Sequence, residues 1–298
     1  MRFLLRILSK LGLPFLYKLA DYLLYPLVYY VIRYRRRLVR RNLSRSFPEM
    51  SSEQIRLLER KFYHQFCSVL VEIVYSYRMS IEEIKEHVRF IGVERLIELN
   101  LKYGGSFIML GHLGCWEWHA SIHHHVSDAG IVECSIYRQL KQPSVDRIMR
   151  EIRERIGGMC CEKNKILKTI ILRRKEAVPT IYGMLSDQKP SPANMHYWTE
   201  FLHQDTAFLS GTEVLARKYK MPVFYFYITQ PQRGYYDIDI RLISEQPELT
   251  EEYSITADYV KLLEANIQQQ PHLWLWTHNR WKWSRQDLPA NVKTNLKP

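Results

Sequence analysis

The chain has 298 residues, of which 46% are hydrophobic and 13% aromatic, enough to bury a substantial core as one large domain or two small ones. Lys and Arg outnumber Asp and Glu by 43 to 31, a net charge of +12, so the chain favours anionic partners such as lipid head groups, nucleic acid or an acidic protein; charge alone does not choose among them. Cys67, Cys115, Cys134, Cys160 and Cys161 form no CxxC pair and read as reduced thiols on the cytoplasmic side of any membrane. The lack of a GxGxxG, P-loop or GxSxG motif withdraws support from a nucleotide cofactor and a serine-elbow hydrolase.

Residues 11–32 are an apolar segment whose only charges are Lys18 and Asp21, interrupted by Pro14 and Pro26. A spanning helix needs about 20 apolar residues and tolerates internal charge poorly. The tyrosines and prolines suit an interfacial or re-entrant element better, and no small-residue cleavage site marks a removable signal peptide. Seven arginines and no acid follow between Arg33 and Arg45. Beside an apolar segment such a cluster reads as cytoplasmic and lipid-facing; a nucleic-acid arm or a solvated helix face are the alternatives.

Ser51-Ser52-Glu53-Gln54 and Ser80-Ile81-Glu82-Glu83 carry the capping-box pattern and open helices of about 25 and 10 residues. Candidate strands then fall at residues 106–110, 132–137, 178–185, 223–229 and 236–242. Candidate helices fall at 116–125, 144–156, 165–175, 211–219 and 256–269. This alternation predicts an α/β fold: a mixed, partly parallel sheet with helical cover and a helical N-terminal extension. Residues 1–45 form a membrane-associating segment in this reading, and residues 46–298 a single catalytic domain.

The stretch with most chemistry is Gly111-His112-Leu113-Gly114-Cys115-Trp116-Glu117, directly after a candidate strand. The glycines permit a tight turn. On a continuous helix His112 and Glu117 would lie about 140° apart, so they meet only if His112 sits on the turn and Glu117 in the first helical turn. A carboxylate on one imidazole nitrogen leaves the other as a base; the alternative is a structural histidine. Cys115 reads as a small buried filler. Arg138 closes the second strand and Asp187 the third, at the carboxyl edge where ligands bind in such sheets; Asp187 reads equally as an Asx-turn before Pro190. Arg150 and Arg153 share a helix face. Adjacent His123, His124 and His125 point in different directions and make a poor metal site. Trp274, Trp276, Trp281 and Trp283 interleave with His278, Arg280 and Lys282, a pattern for stacking bases or for an interfacial belt.

In this order, these segments resemble the lysophospholipid acyltransferase-like family of bacteria that includes the late lipid A (lauroyl and myristoyl) acyltransferases. The likeness covers nearly the whole chain: Asn42-Leu43, Phe47-Pro48-Glu49, Gly111-His112 to Glu117, Tyr137-Arg138, Asp187-Gln188, and Trp274 to Lys282. It implies a glycerolipid-acyltransferase-like fold and transfer of an acyl chain from an acyl carrier protein or coenzyme A thioester to a hydroxyl of a membrane lipid such as a lipid A precursor. It further implies His112 as general base with Glu117 as its orienting partner, and Arg153 and Asp187 as further catalytic residues. Arg138, Gly111, Gly114, His278 and Arg280 would bind substrate, with backbone N–H groups near Gly111 or an arginine holding the oxyanion. No cofactor, metal or nucleic acid is implied, and the expected location is the cytoplasmic face of the bacterial inner membrane. A phospholipid or amino-acid lipid acceptor, a thioesterase, and a non-enzymatic basic membrane- or nucleic-acid-binding protein are the competing readings.

Overall fold

Short apolar runs bounded by turns build the sheet. In the computed structural model, which describes residues 8–289 and 291–295, the strands are β1 (Val88–Ile91), β2 (Gly105–Leu110), β3 (Val132–Tyr137), β4 (Met159–Glu162), β5 (Thr180–Leu185), β6 (Tyr197–Phe201), β7 (Gln204–Phe208), β8 (Val223–Gln232) and β9 (Tyr235–Ser244). Seven of them form one sheet in the order β1-β9-β8-β2-β5-β3-β4, and β6 and β7 pair apart from it. Only β8 and β9 are antiparallel neighbours in the large sheet. All six residues of β2 are buried, as expected of a parallel strand covered on both faces. The α/β class and the mixed sheet read from the sequence are therefore present, and the sheet, expected to be partly parallel, is mostly so.

The helices are α1 (Leu13–Leu19), α2 (Arg36–Ser46), α3 (Ser52–Ser76), α4 (Ile81–His87), α5 (Val93–Tyr103), α6 (His123–Val126), α7 (Pro143–Arg155), α8 (Ile166–Lys175), α9 (Gly211–Tyr219) and α10 (Ser254–Gln269). Both capping boxes form, at Ser51 and Ser80, and α3 has 25 residues. α4 stops after seven because Val88 enters β1. The helix expected at 116–125 is instead a 3₁₀ helix over Trp116–Ile122 followed by the four-residue α6. Trp118 Nε1 is tied to Ser76 Oγ at 2.6 Å, and Glu117 is held by Arg153; anchors on adjacent residues favour the tighter winding. Four strands, β1, β4, β6 and β7, lie outside the candidate strands, and α5, amphipathic between Gly92 and Gly104, lies outside the candidate helices. β1 is only four residues long, and β4 reads Met-Cys-Cys-Glu. The turn joining β6 to β7 uses Leu202 and His203, both at positive φ, where Asn-Gly would have announced a hairpin.

α1 continues through π-helical turns to Val31. Leu13, Leu16, Ala20, Tyr25 and Tyr29 enter the main core, while Phe15, Tyr22, Leu23, Tyr30, Val31 and Ile32 are exposed. Tyr17 donates to Glu72 at 2.8 Å, and Arg233 grips Asp21 at 2.7 and 2.9 Å. Among the described residues no helix is long and apolar enough to cross a membrane.

Candidate active site

β2 and β5 are parallel neighbours in register from Gly105↔Thr180 to Leu110↔Leu185, and Ser186 N donates to Leu110 O at 3.0 Å. The residues two beyond each strand end, His112 and Asp187, therefore emerge side by side at the carboxyl edge. His112 Nδ1 lies 2.6 Å from Asp187 Oδ1, and the His112 backbone N–H donates to Oδ2 at 2.9 Å. Trp274 Nε1 donates to the same Oδ2 at 2.9 Å. Both members of the pair are buried. Burial pushes the Asp187 carboxyl up, but the His112 imidazole and the hydrogen bonds from His112 and Trp274 outweigh it and hold the pKa at about 2. An ionised Asp187 only accepts, so Nδ1 carries the proton and Nε2 presents a lone pair. Gln188 Nε2 lies 3.1 Å from that lone pair and donates to it.

The carboxylate on His112 is thus Asp187. Glu117, expected there, is bonded by Arg153 at 2.6 and 2.9 Å and by Trp116 Nε1 at 3.1 Å. Register between parallel strands decides this: it delivers residue 187 to Nδ1, whereas the 3₁₀ turn aims residue 117 at α7. Glu117 remains close to the site through Trp116, whose ring centroid is 5.2 Å from that of His112. Side-chain exposure is 3% for Glu117 and 16% for Arg153, against 45% for Arg150. Burial lowers the affinity of Arg153 for its proton, Glu117 raises it, and the net effect is upward.

The glycines are required by packing. A Cβ on Gly111 would lie 2.7 Å from side-chain carbons of Leu113 and Leu263; Gly114 has φ +54° and faces the Tyr236 ring. Gly114→Ala is expected to destabilise the fold by about 1–3 kcal/mol through the left-handed backbone and the clash, read as a lowered denaturant midpoint. The backbone amides there are already engaged: His112 N with Asp187, Leu113 N with Gly111 O, and Gly114 N with Leu273 O. These three amides are therefore not free to donate to an oxyanion.

The C-terminal segment lies across this loop. Leu113 and Trp274 form an antiparallel bridge, and Leu275 N donates to His112 O at 3.1 Å. Trp274 and Trp276 are 2% and 0% exposed, so these two rings are core braces rather than a belt or stacking platform. His278 Nε2 accepts from Lys189 N at 3.3 Å, and burial pushes its pKa down to about 4. Arg280 is buried, donates to Ala207 O at 2.6 Å and lies 4.3 Å over the Phe208 ring. Burial pushes its pKa down to about 10, against the pull of Asp187. Arg138 is exposed at the end of β3 and acts electrostatically on Lys189, beside Lys282 and Arg280. Cys115 is fully buried, and burial raises its thiol well above the ordinary value. Gln188 and Trp274 are among the site residues that sequence reasoning left without a role. The Asp187-Gln188 dipeptide at a strand end was a usable signal for the first, but nothing local marked the second.

Glu133 on β3 is buried with Oε2 unpartnered, and burial raises its pKa to about 8. The folded state keeps a proton there that the unfolded chain releases near pH 4.5, so stability falls as pH rises between those values, by about 1.4 kcal/mol per pH unit for one proton. Glu133→Gln is expected to flatten the dependence of the unfolding midpoint on pH over this window.

A buried histidine bonded to a buried aspartate thus lies at the carboxyl edge of a mostly parallel sheet in an α/β fold. Residues 2–283 match the bacterial lipid A biosynthesis acyltransferase family, and the chain belongs to that family. It is similar to a lipid A biosynthesis lauroyltransferase of Escherichia coli (strain K12), 24% identical over 260 residues that cover 86% of this chain and 82% of that protein. The chain is accordingly an acyltransferase of lipid A biosynthesis.

Proposed function

We propose that the enzyme transfers a fatty acyl chain from an acyl carrier protein thioester to a hydroxyl of a membrane-held lipid A precursor, with His112 as general base and Asp187 as its orienting partner. The observation that carries this reading is the 2.6 Å contact of His112 Nδ1 with the buried Asp187 carboxylate, which leaves Nε2 to take a proton. The acceptor hydroxyl displaces the Gln188 amide and gives its proton to Nε2 as its oxygen attacks the thioester carbonyl. The freed Gln188 N–H₂ donates to the developing oxyanion, the role left open by the engaged amides around Gly111. Collapse expels the thiolate, which takes the proton from the imidazolium. Arg153, Glu117 and Trp116 position the His112 ring. Exposed Arg138 and Lys282, with half-buried Lys189, offer an acidic carrier protein a positive rim beside His278 and Arg280; acyl coenzyme A is the competing donor. The test compares acyl carrier protein and coenzyme A thioesters of one chain length at rising salt. Faster, salt-sensitive transfer from the carrier protein is expected, and equal, salt-insensitive rates would exclude that donor.

Gln188→Ala is expected to lower kcat by about 100- to 1,000-fold, the scale for one oxyanion donor, with Gln188→Glu at least as impaired because a carboxylate repels the oxyanion. An unchanged kcat in Gln188→Ala would remove this residue from the mechanism. The exposed apolar face of α1 and the arginines after it support association with an anionic membrane, at the cytoplasmic face of the inner membrane. Leu23→Glu/Val31→Glu changes only exposed positions. It is expected to weaken cosedimentation with anionic liposomes at least about tenfold while the unfolding midpoint stays put; unchanged cosedimentation would move the contact elsewhere.

A further inference from the structure

We infer that the arginine groove after α1 is a binding site for a phosphate monoester on the head group of the acceptor lipid, a reading that rests on the lipid acyltransferase function proposed above. The six arginines between Arg33 and Arg41, with Ser44, line a concave groove of about 790 Å³. Two features assemble it. Arg33 and Arg35 have φ of 53°, a left-handed backbone that bulky residues adopt only against a steric penalty, and this folds the chain so that residues before α2 and on α2 face one space. Arg36, Arg40 and Ser44 then stack at i, i+4 and i+8, with Arg37 and Arg41 as a second stripe.

The groove is electrostatically unfinished. The carboxylate paired with these arginines is Glu59, which is fully buried and bonded to Arg36 at 3.1 Å and Arg40 at 2.7 Å. Arg33, Arg35 and Arg41 are bonded instead to Tyr30 O, Thr277 O and Asn279 Oδ1. The first turn of α2 holds no acid, so its positive dipole end adds to the surplus. Guanidinium forks around a concave space suit the oxygens of one phosphate better than a carboxylate-studded protein surface, which needs a broad face. On the N-terminal side of the groove are the exposed apolar residues Tyr30, Val31 and Ile32, a surface for the lipid's own tails. On its other side it is bonded directly to the segment that braces the catalytic pair. Asn42 donates to Trp276 O and His278 O at 3.1 and 3.2 Å, next to Trp274, which donates to Asp187. A phosphate held here fixes where the rest of the head group lies relative to His112.

The test uses the full chain in neutral detergent micelles carrying, at equal mole fraction, phosphatidic acid (a monoester) or phosphatidylglycerol (a diester). Roughly tenfold tighter binding to phosphatidic acid is expected. Arg37→Gln/Arg41→Gln, both at exposed positions, should abolish that preference, weakening phosphatidic acid binding about tenfold more than phosphatidylglycerol binding. Equal wild-type affinity for the two lipids would reduce the groove to general surface attraction and overturn the proposal. In a turnover assay the double variant should raise KM for a phosphorylated lipid acceptor about tenfold, and leave KM unchanged for the same acceptor after phosphatase treatment and for the thioester donor. A raised donor KM would assign the groove to the carrier protein and also overturn the proposal. If the wild type acylates no lipid hydroxyl, the functional reading fails, while the binding comparison still decides the phosphate site.

Discussion

His112→Ala is expected to lower acyl transfer by at least about 100-fold, the usual scale for losing a general base, with the unfolding midpoint little changed. Asp187→Asn should be as damaging, because the amide cannot accept from the imidazole, the backbone N–H and Trp274 at once. Its N–H₂ would face a donor or turn the imidazole to the wrong tautomer. The two residues act as one unit, so the double variant should be no more than about tenfold worse than the worse single variant. Steady-state rates with a thioester donor, alongside circular dichroism, decide the matter: near-normal turnover in a folded His112→Ala protein would end the general-base assignment.

Removing one side of the Glu117–Arg153 pair is the second large effect. Arg153→Met strands the Glu117 carboxylate at 3% exposure, and leaving one buried charge uncompensated costs about 3–5 kcal/mol. Glu117→Gln/Arg153→Met removes both charges and should recover most of that loss in urea unfolding. It should not recover kcat, since Gln and Met lack the two guanidinium bonds that fix residue 117 against the Trp116 indole beside His112. Recovery of both stability and kcat would make the pair purely structural; loss of both would mean that the hydrogen-bond geometry, and not the charge balance, holds α7 to the site.

The strand cores at 106–110 and 180–185 were legible because each is an apolar run ended by Gly or Ser-Asp, and the capping boxes marked the starts of two helices. The identity of the carboxylate bonded to His112 was not legible. Glu117 lies five residues from His112 and Asp187 lies 75 away, and periodicity carries no information about which strands become neighbours. Only the β2–β5 register brings residue 187 to the imidazole. The tryptophans near the C-terminus misled for a related reason. Their spacing with Arg and Lys matches a wet, basic surface, but Trp274 bridges to Leu113, a contact that sequence proximity does not announce. The β6–β7 hairpin was invisible because its turn residues, Leu202 and His203, are not the ones that tolerate positive φ at low cost.

The bridge from Trp274 to Asp187 spans 87 residues. On the ribosome, at about 5–20 residues per second, the indole arrives roughly 4 to 17 seconds after the aspartate it bonds. Throughout that interval Asp187 lacks its indole donor, and the His112 carbonyl lacks the Leu275 N–H. The amphipathic α1 has by then long been outside the exit tunnel. Synthesis therefore presents the apolar face before the hydrogen bonds that brace His112 and Asp187 are complete.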